Sequence, residues 1–278
     1  MRTAWFVLAL AVAPAAAAQV IPARGEAYLF SAGVDDARAL WINPAGLGVA
    51  AEASIYGEFA MDQAAASGDW GLRQYSLGLL SRQFGLSYQR DKGLIGGSQG
   101  VWRVGAGLPL GRRLALGTGI SFTSPERGLD LGLRASPAPL LDLAAVVRNI
   151  GRPNVRAGKL PIILAAGIST RLVQGQLGLL GDAVATERLS PAAGFYWQYR
   201  AGAMVRMGGK TPLSLIAALH FQSDLQVDQL SVGLGLGRAS QGIVVGTSLP
   251  PTGSTTHIES FSVAGVARSP TGAPRRQD

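Results

Sequence analysis

The 278 residues are 47% hydrophobic but only 15% charged, where a soluble domain carries roughly 25%, too little charge to cover an ordinary water-facing surface. The formal net charge of +8 comes from cations scattered singly along the chain, which argues against a nucleic-acid-binding arm. The absence of Cys excludes a disulfide framework, a thiolate metal site and a lipoprotein anchor.

Residues 1–18 read as a secretory signal peptide: Arg2, then an apolar core from Ala4 to Val12, then Ala16, Ala17 and Ala18 before Gln19. The core is too short for a transmembrane helix, and no later window offers ~20 uninterrupted apolar residues. An exported chain of low charge without a helical span points to a closed β-barrel, in which every backbone group is paired between strands. The bacterial outer membrane is the expected location, with its lipid as the surrounding partner.

Residues 19–51 read as a small N-terminal plug or hatch segment. Within it, Asp35 to Leu40 has the composition of one short helix with an acidic cap. Asn43, Pro44, Ala45 and Gly46 then form turn chemistry, since Pro44 stops a helix and Gly46 permits a tight backbone.

From about Glu52 the pattern turns to period two. Leu114, Leu116, Thr118, Ile120 and Phe122 share one face; Ala115, Gly117, Gly119 and Ser121 share the other. Leu230 to Leu236 alternates with Ser231, Gly233 and Gly235. The second face is small or weakly polar throughout, as expected inside a narrow barrel. Candidate strands fall at 52–60, 72–81, 83–91, 99–108, 113–123, 128–136, 140–149, 161–170, 173–184, 191–198, 200–207, 212–222, 228–238, 240–249 and 257–267. Bacterial barrels hold an even number, and merging 191–198 with 200–207 leaves about 14 strands, antiparallel. The fold expected is therefore all-β: a transmembrane barrel over 52–268 with a short helical plug, followed by a disordered polar tail at 269–278.

Three stretches carry a family resemblance. Ala37-Arg38-Ala39 leads to Asn43-Pro44-Ala45-Gly46-Leu47. Gly128 to Leu133 is followed by Leu143 to Gly151, which ends in Asn149-Ile150-Gly151. Leu160-Pro161 then precedes Ala166-Gly167-Ile168-Ser169. In this order they resemble the FadL-like outer-membrane superfamily, and most closely its PorV/PorQ branch. The resemblance implies a barrel whose floor is plugged by the Asn-Pro-Ala segment. It also implies either handling of hydrophobic molecules or, as in the PorV branch, a scaffold role toward exported proteins and type IX secretion components. The chain departs from the superfamily in its short length and in a closing strand that lacks a final aromatic residue.

Catalysis has little footing. The two histidines, His220 and His257, have no metal-ligand pattern around them. Gly208-Gly209-Lys210-Thr211 lacks the earlier Gly of a phosphate loop, Met204 standing in its place, and reads as a turn; Gly93 to Gly100 reads as a glycine-rich hairpin loop. No cofactor motif is present. Arg103, Asp130, Arg134, Asp142, Arg148 and Asp182 fall on the small-residue parity of their strands. Mid-bilayer charge costs ~2–4 kcal/mol on the lipid face, which assigns these six to the lumen or rims. They are expected mainly to pair with one another, the other reading being a polar path or a site for an anionic amphipathic ligand. Trp70, Tyr75, Tyr88, Trp102, Phe122, Phe195, Tyr196, Trp197, Tyr199 and Phe221 read as an interfacial girdle. Three functional readings follow: a barrel that passes hydrophobic or amphipathic molecules, a non-transporting scaffold for secretion or surface attachment, and a secreted soluble β-sandwich or enzyme.

Overall fold

The computed structural model describes residues 28–50, 52–63, 70–94, 97–123, 126–155, 158–189, 194–208, 212–238, 241–249 and 260–270. Residues 1–18, read as a signal peptide, lie outside them. Fourteen long strands close into one antiparallel barrel: β1 (Glu52–Gln63), β2 (Trp70–Ser81), β3 (Phe84–Leu94), β4 (Gly97–Leu110), β5 (Leu114–Thr123), β6 (Glu126–Ala138), β7 (Leu141–Ile150), β10 (Ile163–Leu172), β11 (Leu177–Glu187), β12 (Phe195–Met207), β13 (Leu213–Phe221), β14 (Val227–Arg238), β15 (Gln241–Leu249) and β16 (Ser260–Pro270). The two-residue strands β8 (Asn154–Val155) and β9 (Gly158–Lys159) form a small hairpin in the connection between β7 and β10. Neighbours in sequence pair throughout, and β1 meets β16 to close the sheet, with Glu52 opposite Pro270.

The period-two pattern becomes the two faces of this wall, because successive side chains of a strand point to opposite sides. Ile55, Phe59, Leu77, Leu79, Leu116, Ile120, Leu131 and Leu215 stand exposed on the outside, while Ser54, Glu58, Ser76, Ser87, Ala115, Asp130 and Ala218 are buried inside. An exposed aliphatic exterior with a polar, buried interior inverts the plan of a water-soluble protein and matches a wall solvated by lipid. A soluble sandwich, which buries its aliphatic face, is ruled out by this inversion. Five exposed aromatics, Trp70, Trp102, Phe122, Phe195 and Trp197, stand toward one end, and Phe84 is exposed at the other; Tyr88 packs on Trp102 with ring centroids 4.7 Å apart.

The two ends differ. At one, the described connections are the short turns 82–83, 111–113, 139–140 and 173–176. The connections at the other end include the 12-residue segment 151–162. We call these the turn end and the loop end. β1 begins and β16 finishes at the turn end.

Several expected boundaries shift. Residues 195–207 form one continuous strand, paired without a break to β11 and β13, as the merging of 191–198 with 200–207 anticipated. The strand expected at 173–184 runs 177–187, because Val173, Gln174 and Gly175 all take positive φ and make a 3-10 turn. The glycine-rich stretch at 93–100 is mostly strand, since β3 reaches Leu94 and β4 starts at Gly97. β10 starts at Ile163 rather than Pro161, whose lack of an N–H makes it a poor ladder member. The closing strand lies three residues later than expected and takes in Ser269 and Pro270; residues 271–278 lie outside the description.

The helix expected at 35–40 is also displaced. The chain turns over Asp36–Arg38, and α1 spans Ala39–Ile42. The cause is that Asp36 spends its carboxylate on Arg38 instead of capping a helix: its Oδ1 accepts from the Arg38 backbone N–H at 2.9 Å and its Oδ2 from Arg38 Nη2 at 2.7 Å. After the break at Asn43 and Pro44, a second turn, α2 (Gly46–Val49), follows where only irregular turn was expected.

Candidate functional site

Residues 28–50 sit inside the barrel, and most of them are buried. They divide into three parts: an arm from Tyr28 to Val34, a junction from Asp35 to Arg38, and a floor made of α1 and α2. Each part is bonded to the wall, and β6 holds both the arm and the floor.

The floor lies on β3–β6, and the wall there is made of glycine. Gly107 pairs across to Gly117 and Gly105 to Gly119, and Gly117 pairs on to Gly132. A Cβ at Gly117 would overlap the Pro44–Ala45 backbone, one at Gly107 the backbone of Gly48, and one at Gly132 the Asn43 side chain. The small inner face is therefore the imprint of the plug backbone, which approaches these strands as closely as only Gly permits. Leu40 and Leu47 fill the space above Gly85 and Gly105, and both are fully buried.

Asn43 stitches this floor together. Its Nδ2 donates to the carbonyls of Ser31 at 3.0 Å and of Leu133 at 3.2 Å, and its Oδ1 accepts from the Ala45 N–H at 3.0 Å. One side chain thus ties the arm, the floor and β6. Pro44 and Gly46 set the backbone path between the helices; a Cβ at Gly46 would strike the Val34 carbonyl. Trp41 donates from Nε1 to Ser87 Oγ at 2.6 Å, and the Ser87 hydroxyl donates in turn to the Leu77 carbonyl at 2.8 Å.

The six charges assigned to the lumen are all buried, and most reach the plug. Arg103 pairs with Asp130 at 2.7 Å, donates to the Leu40 carbonyl at 3.4 Å and lies 4.4 Å over the Trp41 ring. Asp130 also accepts from the Asn149 N–H at 2.8 Å. Arg134 pairs with Asp142 at 3.2 Å and donates to the Val34 carbonyl at 3.0 Å. Arg148 donates to the Trp41 carbonyl at 3.1 Å. Asp182 pairs with Arg200 and accepts from the Ser31 N–H at 3.1 Å and the Ser31 hydroxyl at 2.6 Å. Three guanidiniums thus satisfy carbonyls that the short helices and arm leave open. They do so as charge-assisted bonds, roughly twice as strong as neutral ones.

Arg200, Asp91 and the junction residues were not anticipated. Arg200 stands opposite Asp182 in the ladder and crosses the Phe30 ring at 5.2 Å, while Gly202 makes room for that ring. Toward the loop end, Gln74 and Gln89 both donate to the buried Asp91 carboxylate, at 2.7 and 3.2 Å. His220 lies beside Arg200 in the ladder, half-buried on the lumen parity; His257 falls outside the described residues. No group of three His, Cys, Asp or Glu that could hold a metal occurs among the described residues.

At the junction, the buried Asp36 receives Arg38 and also Arg268 of β16, whose Nη2 lies 3.1 Å away. Burial pushes the Asp36 carboxyl upward, but the two guanidiniums outweigh it and hold its pKa at about 2, below the usual 3.8. A carboxylate depressed in the folded state contributes its stability above its unfolded pKa and loses it as pH falls through the folded one. Docking of the junction is therefore expected to be constant above about pH 4 and to weaken by ~2 kcal/mol as pH drops toward 2. Amide exchange at Ala37–Ile42 measures this, and Asp36→Asn should abolish the step.

The arrangement is a closed antiparallel barrel with a lipid-compatible exterior and a lumen occupied by its own N-terminal segment. Among solved structures, the fold is similar to the CymD monoaromatic hydrocarbon channel, with a TM-score of 0.65 at 12% identity over 91% of this chain and 98% of that one. It is also similar to a bacterial polysaccharide outer membrane secretin, with a TM-score of 0.53 at 9% identity over 79% of this chain and 99% of that one. No protein-family model and no curated protein sequence matches the chain.

Proposed function

We propose that this chain is an outer-membrane barrel through which hydrophobic or amphipathic molecules pass, its N-terminal segment serving as a hatch. The observation that carries the reading is the occupied lumen: a wall built for lipid surrounds a plug seated on glycine and tied by polar contacts. Such a lumen argues against a standing water-filled pore. The likeness to a monoaromatic hydrocarbon channel supports the same reading. Barrels of this kind carry short periplasmic turns and longer outer loops, which puts the turn end in the periplasm and the aromatic-rich loop end outside. On this reading Asn43, Pro44, Ala45 and Gly46 form the fixed floor of the hatch, and the six lumen charges are its fastenings.

The PorV/PorQ-like alternative, a scaffold for protein secretion or surface attachment, draws support from the filled lumen and from the β8–β9 hairpin standing in the 151–162 loop. One experiment separates the two. Deleting the gene should lower whole-cell uptake of a labelled monoaromatic hydrocarbon or long-chain carboxylate at least fivefold, and restoring it should recover uptake. Unchanged uptake with an altered set of secreted and surface proteins would replace the transport reading by the scaffold.

A further inference from the structure

On the outside of the barrel, at the turn end, two adjacent turns carry three cations. Arg82 lies in the turn between β2 and β3, and Arg112 and Arg113 lie in the turn between β4 and β5; all three are exposed. The lumen arginines Arg103, Arg134 and Arg200 each meet a carboxylate. Arg82, Arg112 and Arg113 make no ion pair among the described residues. The turns 139–140 and 173–176 carry no cation, so this surplus belongs to one sector of the rim. The backbone fixes both turns to their neighbours. Gly107 N–H donates to the Gln83 carbonyl at 2.9 Å, and Ser136 N–H to the Arg113 carbonyl at 2.7 Å. Arg82 and Gln83 both have positive φ, 46° and 73°, the conformation for which a two-residue hairpin turn favours Asn and Gly. A long side chain there strains the turn, and the chain nevertheless places a guanidinium at that point.

Between these turns β4 outruns β3. Its pairing with β3 ends at Ala106, opposite Phe84, and Leu108, Pro109 and Leu110 continue against β5 alone. Pro109, without an N–H, suits such an open edge. Phe84, Leu108 and Leu110 face outward and are 62%, 57% and 41% exposed. They form a short apolar shelf on the lipid-facing wall, with Arg82 beside it and Arg112 and Arg113 at its end.

We propose that this shelf binds an anionic glycerophospholipid from the leaflet at the turn end, its phosphate held by the three guanidiniums and its acyl chains laid on Phe84, Leu108 and Leu110. The planar guanidinium fork matches a phosphate. A zwitterionic headgroup would bring an ammonium into a cluster of cations that no carboxylate offsets. An acidic protein would answer the charge but not the apolar shelf, whereas a phospholipid answers both. The site is on the outer surface, so it stands whether or not molecules pass through the lumen.

The test uses the full chain in detergent micelles, titrated with tail-labelled dioleoyl phosphatidylglycerol and dioleoyl phosphatidylcholine. Each cation beside an anionic leaflet contributes about fivefold, so phosphatidylglycerol should bind at least about tenfold more tightly than phosphatidylcholine. The combined variant Arg82→Gln, Arg112→Gln, Arg113→Gln, which breaks no ion pair, should bring the two lipids within about twofold of each other. Arg188→Gln, exposed beyond β11 at the loop end, should leave the preference intact. Leu108→Ser should weaken both lipids alike. Heat-dependent migration in gels verifies that each variant keeps its barrel. Equal binding of the two lipids, or a preference that survives the combined variant, overturns the site. An octaglutamate peptide should not displace phosphatidylglycerol; if it does so at equal concentration, and the combined variant abolishes its binding, the surface receives an acidic protein and the lipid proposal falls.

Discussion

Gly117→Val should unseat the floor of the plug while leaving the barrel standing. Valine suits a strand, so the ladder to β4 and β6 is not threatened. Its side chain, however, points at the Pro44–Ala45 backbone, which has nowhere to retreat because Gly132 and Gly107 hold Asn43 and Gly48 just as closely on either side. Overpacking of a yielding core costs ~1–3 kcal/mol; here backbone meets backbone, and loss of docking is the cheaper outcome. The expected results are proteolytic sensitivity at residues 28–50 and at least a tenfold rise in potassium conductance in planar bilayers. Gly265→Val, where an added Cβ meets nothing within 4 Å, should change neither. A Gly117→Val protein as tight and protease-resistant as the parent would show that the glycine row is not a cradle.

Asp182→Ala should act on the arm instead. The substitution removes the acceptor for the Ser31 N–H and hydroxyl and the carboxylate that faces Arg200, whose side chain is 12% exposed. Breaking one member of a buried pair costs ~3–5 kcal/mol because the other charge remains. Amide exchange at residues 28–34 should therefore quicken at least ~100-fold, with Ala39–Val49 little affected. Asp182→Asn, which keeps an acceptor, should have a smaller effect. Equal quickening in arm and floor would mean that the plug moves as one body.

The wall was legible because its rule is local. Lipid outside and a packed lumen inside force strict alternation, and each strand repeats it independently. The lumen charges were legible for the same reason: Arg103, Asp130 and Arg134 can be assigned a side by counting. Their partners could not be, since the carbonyls of Val34, Leu40 and Trp41 belong to a segment whose path depends on the whole barrel. Arg200 opens the second of the two merged segments, 191–198 and 200–207, and its parity is read only along the whole strand: in Phe195–Met207 it stands opposite Asp182. Asp91 ends the expected strand 83–91 on the parity of Gly85, Ser87 and Gln89. The glycines were read as the lining of a narrow tube, and nothing in their spacing alone distinguishes a small lumen from the mould of a second piece of chain. The helix at 35–40 was misplaced because propensity knows nothing of Arg268, which arrives from the far end of the sequence and, with Arg38, engages Asp36.

Arg268 also bears on how the molecule is put together. It lies on the final strand, two residues from Pro270, where the sheet joins back to Glu52. Its guanidinium spans Asp35 and Asp36 at once. Until that strand arrives, Asp36 has only Arg38 for countercharge, and the seam beside Ser54, which accepts from the Ala37 N–H at 2.8 Å, stands open. Sealing the seam and completing the plug's electrostatics are therefore one event. The floor rests against β3–β6, while the arm reaches Asp182 and Gly202 on β11 and β12 and Glu58 on β1, so the segment is bonded to strands far apart around the barrel. A chain that curls up without its plug in place would close around an unmatched set of buried guanidiniums, and it would lose the cation that its last strand was carrying to the first turn.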